Sequence, residues 1–215
     1  MYRAQWTAEP VLHIFPHWNW DGMEGQIVPV HVYTNYPQVE LFVNETSYGR
    51  KTLRSDRNGG DLGQIERFRL MWDDVVYSPG TVTAVAYDEN GNAALQASIH
   101  TAGDPKMLLL QADRSQIRAD GEDLVYITAV IADENGIPCP HASNRLFFDV
   151  TGSIELLTTD NGDPRETETF WKSDKKALAG YCVVCCRSLL DMPGEFTVRV
   201  RSDGLEPTQI TLKSL

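Results

Sequence analysis

The sequence predicts an all-β chain that folds as two consecutive immunoglobulin-like antiparallel β-sandwich domains. Apolar and polar residues alternate with a period of two in several short segments, which is typical of half-buried strands. Turns rich in Gly, Asn and Asp separate these segments, and no segment shows a convincing helical period. Because each such strand has one apolar face, a second sheet is needed to cover it.

The first domain is predicted over residues 10–103. Its clearest strand has Val28, Val30 and Val32 alternating with other residue types. Turns at 56–61 and 88–92 are rich in Asp, Asn and Gly. The strands are expected at Val28 to Tyr33, Val39 to Val43, Ile65 to Met71, Thr81 to Tyr87 and Ala93 to Thr101.

A second domain is predicted over residues 104–215. The segment Gly103-Asp104-Pro105 marks the boundary, because Pro restricts the preceding residue to extended geometry and cannot donate to a ladder. Seven strands in about 110 residues are typical of an immunoglobulin-like domain. They are expected at Met107 to Ala112, Leu124 to Ala132, Leu146 to Val150, Ile154 to Thr158, Leu178 to Cys186, Glu195 to Arg201 and Thr208 to Leu212.

The charge balance argues against two classes of partner. Asp and Glu number 30 against 19 Lys and Arg, giving a net charge of -11, which repels phosphate backbones and anionic lipid. No apolar run approaches the roughly 18 residues of a membrane helix, and no targeting signal is evident after Met1. The sequence therefore predicts no nucleic-acid partner and no membrane partner.

An aromatic loop precedes the first clear strand. Between Pro10 and Gly22, large rings occupy four of six consecutive positions. They are Phe15, His17, Trp18 and Trp20. Rings crowded into a loop in this way are suited to stacking on another surface.

Several motifs of this chain occur in the same order in a known enzyme family. They are Gln5-Trp6, Pro16 to Trp20, Gly22, Glu24-Gly25, Val32 to Asn35, Val39 to Phe42, Asn44, Ser47, Gly49, Lys51, Pro79-Gly80, Ala84 to Tyr87 and Thr101 to Gly103. The chain resembles the C-terminal accessory region of a glycoside hydrolase family 2 β-galactosidase-like enzyme. The resemblance covers nearly the whole sequence and includes the immunoglobulin-like second domain.

The resemblance implies that this chain has no catalytic residues, because the two catalytic carboxylates of the family lie on an upstream barrel. It implies a parent protein that hydrolyses O-glycosyl bonds in carbohydrate and is periplasmic or secreted. Residues 1–9 would be the tail of the barrel, with Trp6 and Phe15 at the barrel interface. The catalytic barrel is the expected partner, carbohydrate is expected only in the parent context, and no cofactor is expected.

His17, Trp18, Asn19 and Trp20 are the candidate substrate-binding residues in that parent context. Sugar sites place flat rings against the apolar face of a pyranose and add a few polar groups for the hydroxyls. The alternative is that these rings only fill the contact between sandwich and barrel. We expect one of the two tryptophans to line the sugar pocket and the other to pack.

One departure from the family pattern concerns the first hairpin, where Asn44-Glu45 stands in place of Asn-Gly. Gly takes positive φ without steric cost, so Glu45 predicts a longer or differently wound turn. Three acidic turns, at 88–91, 133–136 and 160–163, lack the full spacing of calcium loops and are predicted to be tight Asn-Gly hairpins. No metal site is predicted.

Other reactive residue types receive structural interpretations. Asp120, Glu122 and Asp123 could serve as acid and base, but solvated turn charges are favoured because no aromatic platform accompanies them. The histidines are scattered along the sequence, so no triad is predicted. The cysteines are Cys139, Cys182, Cys185 and Cys186. Buried free thiols are favoured, with a single disulfide and a zinc site left as alternatives.

Two rival functions belong to other classes. An independent carbohydrate-binding module would need its own groove with exposed rings. An adhesin-like array of immunoglobulin-type domains is suggested by the second domain alone, and the aromatic loop disfavours it.

Overall fold

The structure, a computed structural model, describes residues 1–53 and 68–215. Within these ranges the chain is largely strand, and neighbouring strands are mostly antiparallel, which confirms the predicted fold class. The turn predicted at 56–61 and the start of the strand predicted at Ile65 to Met71 lie outside the described residues.

The chain divides into two compact units, Met1–Thr101 and Ala102–Leu215. The division lies beside Gly103-Asp104-Pro105, where the rigid Pro105 cannot donate a backbone hydrogen bond to either sandwich.

The described part of the first unit contains a short helix and two antiparallel sheets. The strand orders are β1-β2-β5 in one sheet and β4-β3-β6-β7 in the other. Four of its predicted strands are confirmed to within two residues at each end, and the last residues of a fifth form β5. The elements are α1 Tyr2–Trp6, β1 Leu12–Phe15, β2 Val30–Thr34, β3 Gln38–Val43, β4 Thr46–Thr52, β5 Leu70–Trp72, β6 Thr81–Tyr87 and β7 Ala93–His100.

Alternation along β2 and β3 builds the core of this unit. Val30 and Val32 from β2 and Val39 and Leu41 from β3 are completely buried, while the residues between them are partly exposed. These aliphatic side chains form one cluster with the large rings Trp18, Trp72 and Tyr77. The aromatic loop is therefore attached directly to the core of the unit.

Three elements of the first unit carry no clear sequence signal. The helix α1 spans only five residues and buries only Ala4. The strand β1 has a single buried position, Ile14. At the edge of its sheet, β4 is exposed or half-exposed throughout, so no apolar alternation marks it.

The turn between β3 and β4 corrects the sequence-based prediction. Asn44 and Glu45 form a tight two-residue turn with φ of 46° and 70°, and Val43 pairs directly with Thr46. The prediction of a longer turn is wrong because the Asn44 side chain is anchored from outside. Its Oδ1 accepts the Thr81 N–H at 2.8 Å, and its Nδ2 donates to the Pro79 carbonyl at 3.0 Å.

Replacing Glu45 by glycine is expected to raise the free energy of unfolding of the first unit by about 0.5–1 kcal/mol. Relief of the left-handed backbone gives about 1–2 kcal/mol, and the freer unfolded chain offsets part of it. Urea denaturation of the two proteins measures the difference. The control is Glu89→Gly, because Glu89 lies in a turn outside the left-handed region and should lose stability. Equal effects of the two substitutions would contradict the backbone explanation.

The second unit is a sandwich of two further sheets. The strand orders are β12-β14-β10-β8 and β13-β11-β15-β16-β9, and the short β9 pairs with β16 in parallel. All seven predicted strands are confirmed, while the short β9 and β13 lie outside the prediction. The elements are β8 Met107–Ala112, β9 Gln116–Ile117, β10 Leu124–Ala132, β11 Arg145–Gly152, β12 Ile154–Asp160, β13 Asp174–Lys176, β14 Tyr181–Ser188, β15 Gly194–Arg201 and β16 Thr208–Ser214.

The cysteines behave as core residues, as the favoured interpretation predicted. Cys182, Val184 and Cys186 lie on the inner face of β14, and Cys185 lies on the opposite face. All four thiols, including Cys139, are buried and free. Burial raises the pKa of Cys182 and of Cys186 to about 12, so both sulfurs stay protonated and unreactive at neutral pH.

Candidate functional site

The aromatic loop joins β1 to β2, and Trp18 fixes it to the core. Trp18 is 1% exposed, and its ring packs edge-on against Tyr77 with centroids 5.1 Å apart. Its Nε1 donates to the Ser78 carbonyl at 2.9 Å, and its own carbonyl accepts the Thr101 hydroxyl at 2.6 Å. Asn19, beside it, is also buried. Trp18 is thus a core residue of the first sandwich.

His17 and Trp20 are the two rings of the segment 16–20 that solvent reaches. Their rings are stacked with centroids 4.8 Å apart and planes 24° apart. Trp20 Nε1 donates to the His17 carbonyl at 3.0 Å, and the Asn19 N–H donates to His17 Nδ1 at 3.2 Å. His17 is exposed and Trp20 half-exposed, so the pair presents a flat polar-edged platform.

Backbone bonds hold this platform in place. The Trp20 N–H donates to the Tyr77 hydroxyl at 3.1 Å, and the Met23 N–H donates to the Trp20 carbonyl at 3.0 Å. Gly25 and Gln26 exchange further bonds with Tyr77 through the main chain, at 2.9 and 2.8 Å. A loop tied to the sandwich at several points can present its rings without a large entropic cost.

The outer face of the β1-β2-β5 sheet forms a second surface. Strand register places His13 opposite Tyr33, and Phe15 opposite His31. The Phe15 and His31 rings lie 6.3 Å apart, and Phe15 is 50% exposed. The histidines are scattered along the sequence, whereas the register brings His13 and His31 onto one face. The polar alternation within Val30–Thr34 is the signal that could have revealed it.

Two nitrogen atoms on this face are buried without partners in the described chain. They are His31 Nδ1 and Arg69 Nε. The Arg69 guanidinium also donates to the Tyr33 hydroxyl at 3.3 Å. Burial, followed by the charge of Arg69, lowers the pKa of His31, which favours the neutral imidazole. Buried polar atoms of native proteins rarely lack a partner, so the Arg69 Nε–H needs an acceptor, and His31 Nδ1 a partner, from outside the described residues.

The helix α1 exposes rings as well. Trp6 is 77% exposed and Tyr2 62% exposed, and their ring centroids lie 4.8 Å apart. Arg3 bonds Glu9 at 2.8 Å just after the helix. Two neighbouring rings at this level of exposure form a small apolar surface at the start of the chain.

The carboxylates that could have served as acid and base occupy a turn of the second unit. Asp120 Oδ1 accepts the N–H groups of Glu122 at 2.9 Å and Asp123 at 2.7 Å. Backbone donors lower the pKa of Asp120, and the Arg118 N–H lowers that of Asp123. A general acid needs a raised pKa, so neither carboxyl has the properties of one.

The carboxylates of the acidic turns accept hydrogen bonds from backbone N–H groups of the same turns. Asp88 Oδ1 accepts two N–H groups of its own turn, at 2.9 and 2.8 Å, and Asp133 Oδ1 does the same at 2.9 Å each. Each loop is longer than the two-residue hairpin that the Asn-Gly pair predicted. The turn at 160–163 leads from β12 to β13, which belong to different sheets, so it closes no hairpin.

The described ranges contain neither a metal-binding cluster nor a membrane-spanning helix. Among residues 1–53 and 68–215, no group of three or more His, Cys, Asp or Glu side chains is arranged to hold a metal ion. In the same residues, no helix is both long and apolar enough to cross a membrane.

Comparison with known proteins decides the family. Residues 108–211 match the family model described as glycoside hydrolase family 2 C-terminal domain 5, and residues 25–95 match a domain of unknown function, DUF4982. Beta-galactosidase BoGH2A of Bacteroides ovatus is 36% identical to the chain over its full length. The chain belongs to the C-terminal region of glycoside hydrolase family 2. The resemblance that rests on the motif from Pro16 to Trp20 and on the other motifs is thereby confirmed.

Other family 2 proteins align with the chain over most of its length. A putative beta-glucuronidase of Formosa agariphila is 31% identical over 82% of the chain. A beta-glycosidase from Bacteroides vulgatus superimposes with a TM-score of 0.86, at 32% identity, over 99% of this chain and 26% of its own. A family 2 member from Bacteroides cellulosilyticus DSM 14838 gives 0.82, at 31% identity, over 98% of this chain and 30% of its own.

The chain spans only a small part of its curated relatives. It aligns with 24% of the Bacteroides ovatus protein and 16% of the Formosa agariphila protein. The family 2 region described above is therefore a C-terminal part of much longer proteins in these relatives.

Proposed function

We propose that this chain is a non-catalytic accessory region of a longer family 2 hydrolase that cleaves β-galactosides or β-glucuronides. Its relatives are named for those activities, and the chain aligns with a quarter or less of their length. In this proposal the catalytic barrel of the same protein is the partner, and the chain alone hydrolyses no glycoside.

The main support for this proposal is the position of the exposed aromatic side chains in the first unit. In the described part of the first unit, the most exposed aromatic side chains are Trp6, Tyr2 and Phe15, all within the first fifteen residues. We assign residues 1–9 to the tail of the barrel, with Trp6 and Phe15 at the contact. Burying apolar surface of this kind contributes about 25 cal/mol for each Å² removed from water.

The unpaired nitrogens of the β1-β2-β5 face support the same docking surface. His31 Nδ1 and Arg69 Nε lie on the face that also exposes Phe15. An unsatisfied buried donor costs about 1–3 kcal/mol, so an acceptor on the barrel would contribute that amount to docking. The face thus combines an apolar ring with polar groups that give the contact a defined register.

The same proposal assigns the sugar contact to His17 and Trp20. Trp18 and Asn19 are buried and have the supporting role, because Trp18 packs on Tyr77 beneath the loop. The stacked pair could lie against the apolar face of a pyranose, and the His17 edge could bond a hydroxyl.

Two substitutions in the full-length hydrolase test the proposal. Trp20→Ala is expected to lower kcat/KM about tenfold with little change in Tm, because it removes substrate positioning. Trp6→Ala is expected to lower Tm with nearly unchanged kcat/KM, because it weakens only docking. Steady-state kinetics on p-nitrophenyl β-galactoside and β-glucuronide, with calorimetric melting, gives both quantities.

The control is Trp171→Ala, which removes an exposed ring of the second unit and should change neither quantity. Unchanged kinetics in Trp20→Ala would remove the sugar contact, and an unchanged Tm in Trp6→Ala would remove the docking role. Glycoside turnover that stays with the isolated chain through repeated purification would overturn its non-catalytic assignment.

A further inference from the structure

The second unit has an open groove that the proposed docking surface does not use. It lies on the outer face of the β12-β14-β10-β8 sheet and has a volume of about 500 Å³. Three of its lining residues carry half-exposed aromatic rings: Tyr126 at 46%, Phe170 at 51% and Tyr181 at 42%. The groove is therefore lined by three aromatic rings that solvent partly reaches.

Strand register shows how two of the rings are placed. Cys185 of β14 lies between Tyr126 of β10 and Thr158 of β12. The Thr158 hydroxyl donates to the Phe170 carbonyl at 2.9 Å, so Phe170 lies beyond β12. Tyr126 and Phe170 thus stand on opposite sides of a floor that includes Val183. Val183 and Cys185 of β14 form this floor, and their side chains are smaller than the aromatic rings on either side.

The third ring extends the groove along the strand. Tyr181 precedes Cys185 by four residues on the same strand, which corresponds to about 13 Å. That distance exceeds the width of a single pyranose ring. A ligand that contacts all three rings must therefore contain at least two sugar-sized units in an extended arrangement.

The Phe170 wall is held in position before any ligand binds. The Phe170 carbonyl also accepts the Thr159 N–H at 3.0 Å. The buried Lys175 ammonium lies 5.5 Å from the centroid of the Phe170 ring, and Arg145 bonds Glu168 at 2.6 Å in the same loop. A preorganised wall lowers the entropic cost of binding.

The polar groups of the groove suit hydroxyls better than anions. Asp160 Oδ1 accepts the Gly162 N–H at 3.0 Å, which leaves Oδ2 for a ligand donor. Asn161 and Thr158 add neutral polar groups, and no Lys or Arg is among the described lining residues. A carboxylate in the lining attracts hydroxyl donors and repels an anionic sugar, so charge favours a neutral ligand.

We propose that this groove binds a neutral oligosaccharide of at least two pyranose units. The rings of Tyr126, Phe170 and Tyr181 stack on successive sugar faces, and Asp160 accepts hydroxyl hydrogen bonds between them. The site acts without the aromatic loop of the first unit, and it would hold the hydrolase on a polysaccharide whether or not the docking proposal is correct.

Isothermal titration of the 215-residue chain tests the groove with defined sugars. The probes are cellotetraose, mannotetraose and β-1,4-galactotetraose, with glucose and galactose as single units and tetragalacturonate as the anionic counterpart. At least one neutral tetrasaccharide is expected to bind with Kd below about 1 mM, and both monosaccharides at least about tenfold more weakly. The absence of any tetrasaccharide binding would overturn the proposal, as would equal or tighter binding of tetragalacturonate.

Matched variants then locate the site. Tyr126→Ala and Phe170→Ala are each expected to weaken the tetrasaccharide about tenfold, and Tyr126→Phe, which keeps the ring, to weaken it far less. Trp171→Ala removes a neighbouring ring that is 81% exposed and does not line the groove, so it should bind as the parent does. Melting curves of every variant verify folding. Equal losses in Trp171→Ala and Phe170→Ala would overturn the site, and loss of binding in Trp20→Ala would move it to the aromatic loop.

Discussion

Replacing Trp18 by alanine is expected to lower the free energy of unfolding of the first unit by about 4 kcal/mol. Trp18 is almost completely buried, so its removal costs the transfer free energy of a large ring and leaves a cavity beneath the loop. It also leaves the Ser78 carbonyl without the donor that Trp18 Nε1 supplies, whereas the Thr101 hydroxyl keeps its bond to the backbone carbonyl of residue 18. Urea denaturation followed by intrinsic fluorescence measures the loss.

Trp20→Ala is the matched control for that measurement. Trp20 belongs to the same five-residue motif and has the same side chain, but it is only half-buried, stacks on His17 and contacts the core from its edge. We expect it to cost about 1 kcal/mol or less, as for other partly exposed substitutions. If the two variants lost equal stability, the separation of one buried and one presented tryptophan would be wrong.

The sequence predicts the sheets of this chain well because their signal is local. Val30, Val32, Val39 and Leu41 alternate with polar or half-exposed residues, and the structure buries all four. Adjacent residues carry that pattern, so a short window of sequence is enough to read it. Strand β14 is a second example, since Cys182, Val184 and Cys186 stand at alternate positions of the sequence and all lie in the core.

The surfaces depend on long-range register, which the sequence does not contain. Tyr126 and Phe170 are 44 positions apart, and only the pairing of β10, β14 and β12 brings them to one groove. His13 and His31 likewise meet through the pairing of β1 with β2. A one-residue slip of either strand would send these side chains to the opposite face, so their placement follows from the assembled fold.

The hairpin at Asn44 shows a local rule overridden by a distant contact. Glycine is normally preferred where φ is positive, yet Glu45 occupies such a position. The hydrogen bonds that join Asn44 to Thr81 and Pro79 hold the turn against a segment almost forty residues further along the chain. A Cβ on residue 80 would lie 2.0 Å from Asn44 Oδ1. The anchoring of the Asn44 side chain therefore requires glycine at position 80, whereas position 45 of the turn accepts glutamate.

Asp133→Ala is expected to destabilise the second unit by about 3 kcal/mol. Asp133 is 2% exposed and satisfies three backbone donors, with Gly103 at 2.8 Å and Asn135 and Ile137 at 2.9 Å. Alanine would leave these donors without their charged acceptor in a buried site, where each unmade bond costs about 1–3 kcal/mol before relaxation and entry of water. Thermal and urea unfolding of both proteins measure the difference.

Asp88→Ala provides the control, because the residues 88–91 repeat the Asp-Glu-Asn-Gly order of 133–136 on an open surface. Asp88 accepts two backbone N–H groups of its own turn and a longer bond of 3.4 Å from the Asn92 amide, all of them exposed, so water replaces these bonds and the loss should be much smaller.

The stability that Asp133 contributes should also depend on pH. Burial acts to raise the pKa of Asp133, but the Gly103, Ile137 and Asn135 donors outweigh it, and the pKa lies below its usual value. The Asp133 carboxylate therefore stabilises the fold above the unfolded pKa of about 3.9, and this contribution is lost as the pH falls through the lower folded value. The stability difference between the parent protein and Asp133→Ala should consequently be constant near pH 7 and shrink below about pH 4. A difference that grew on acidification would show that Asp133 is protonated in the native protein.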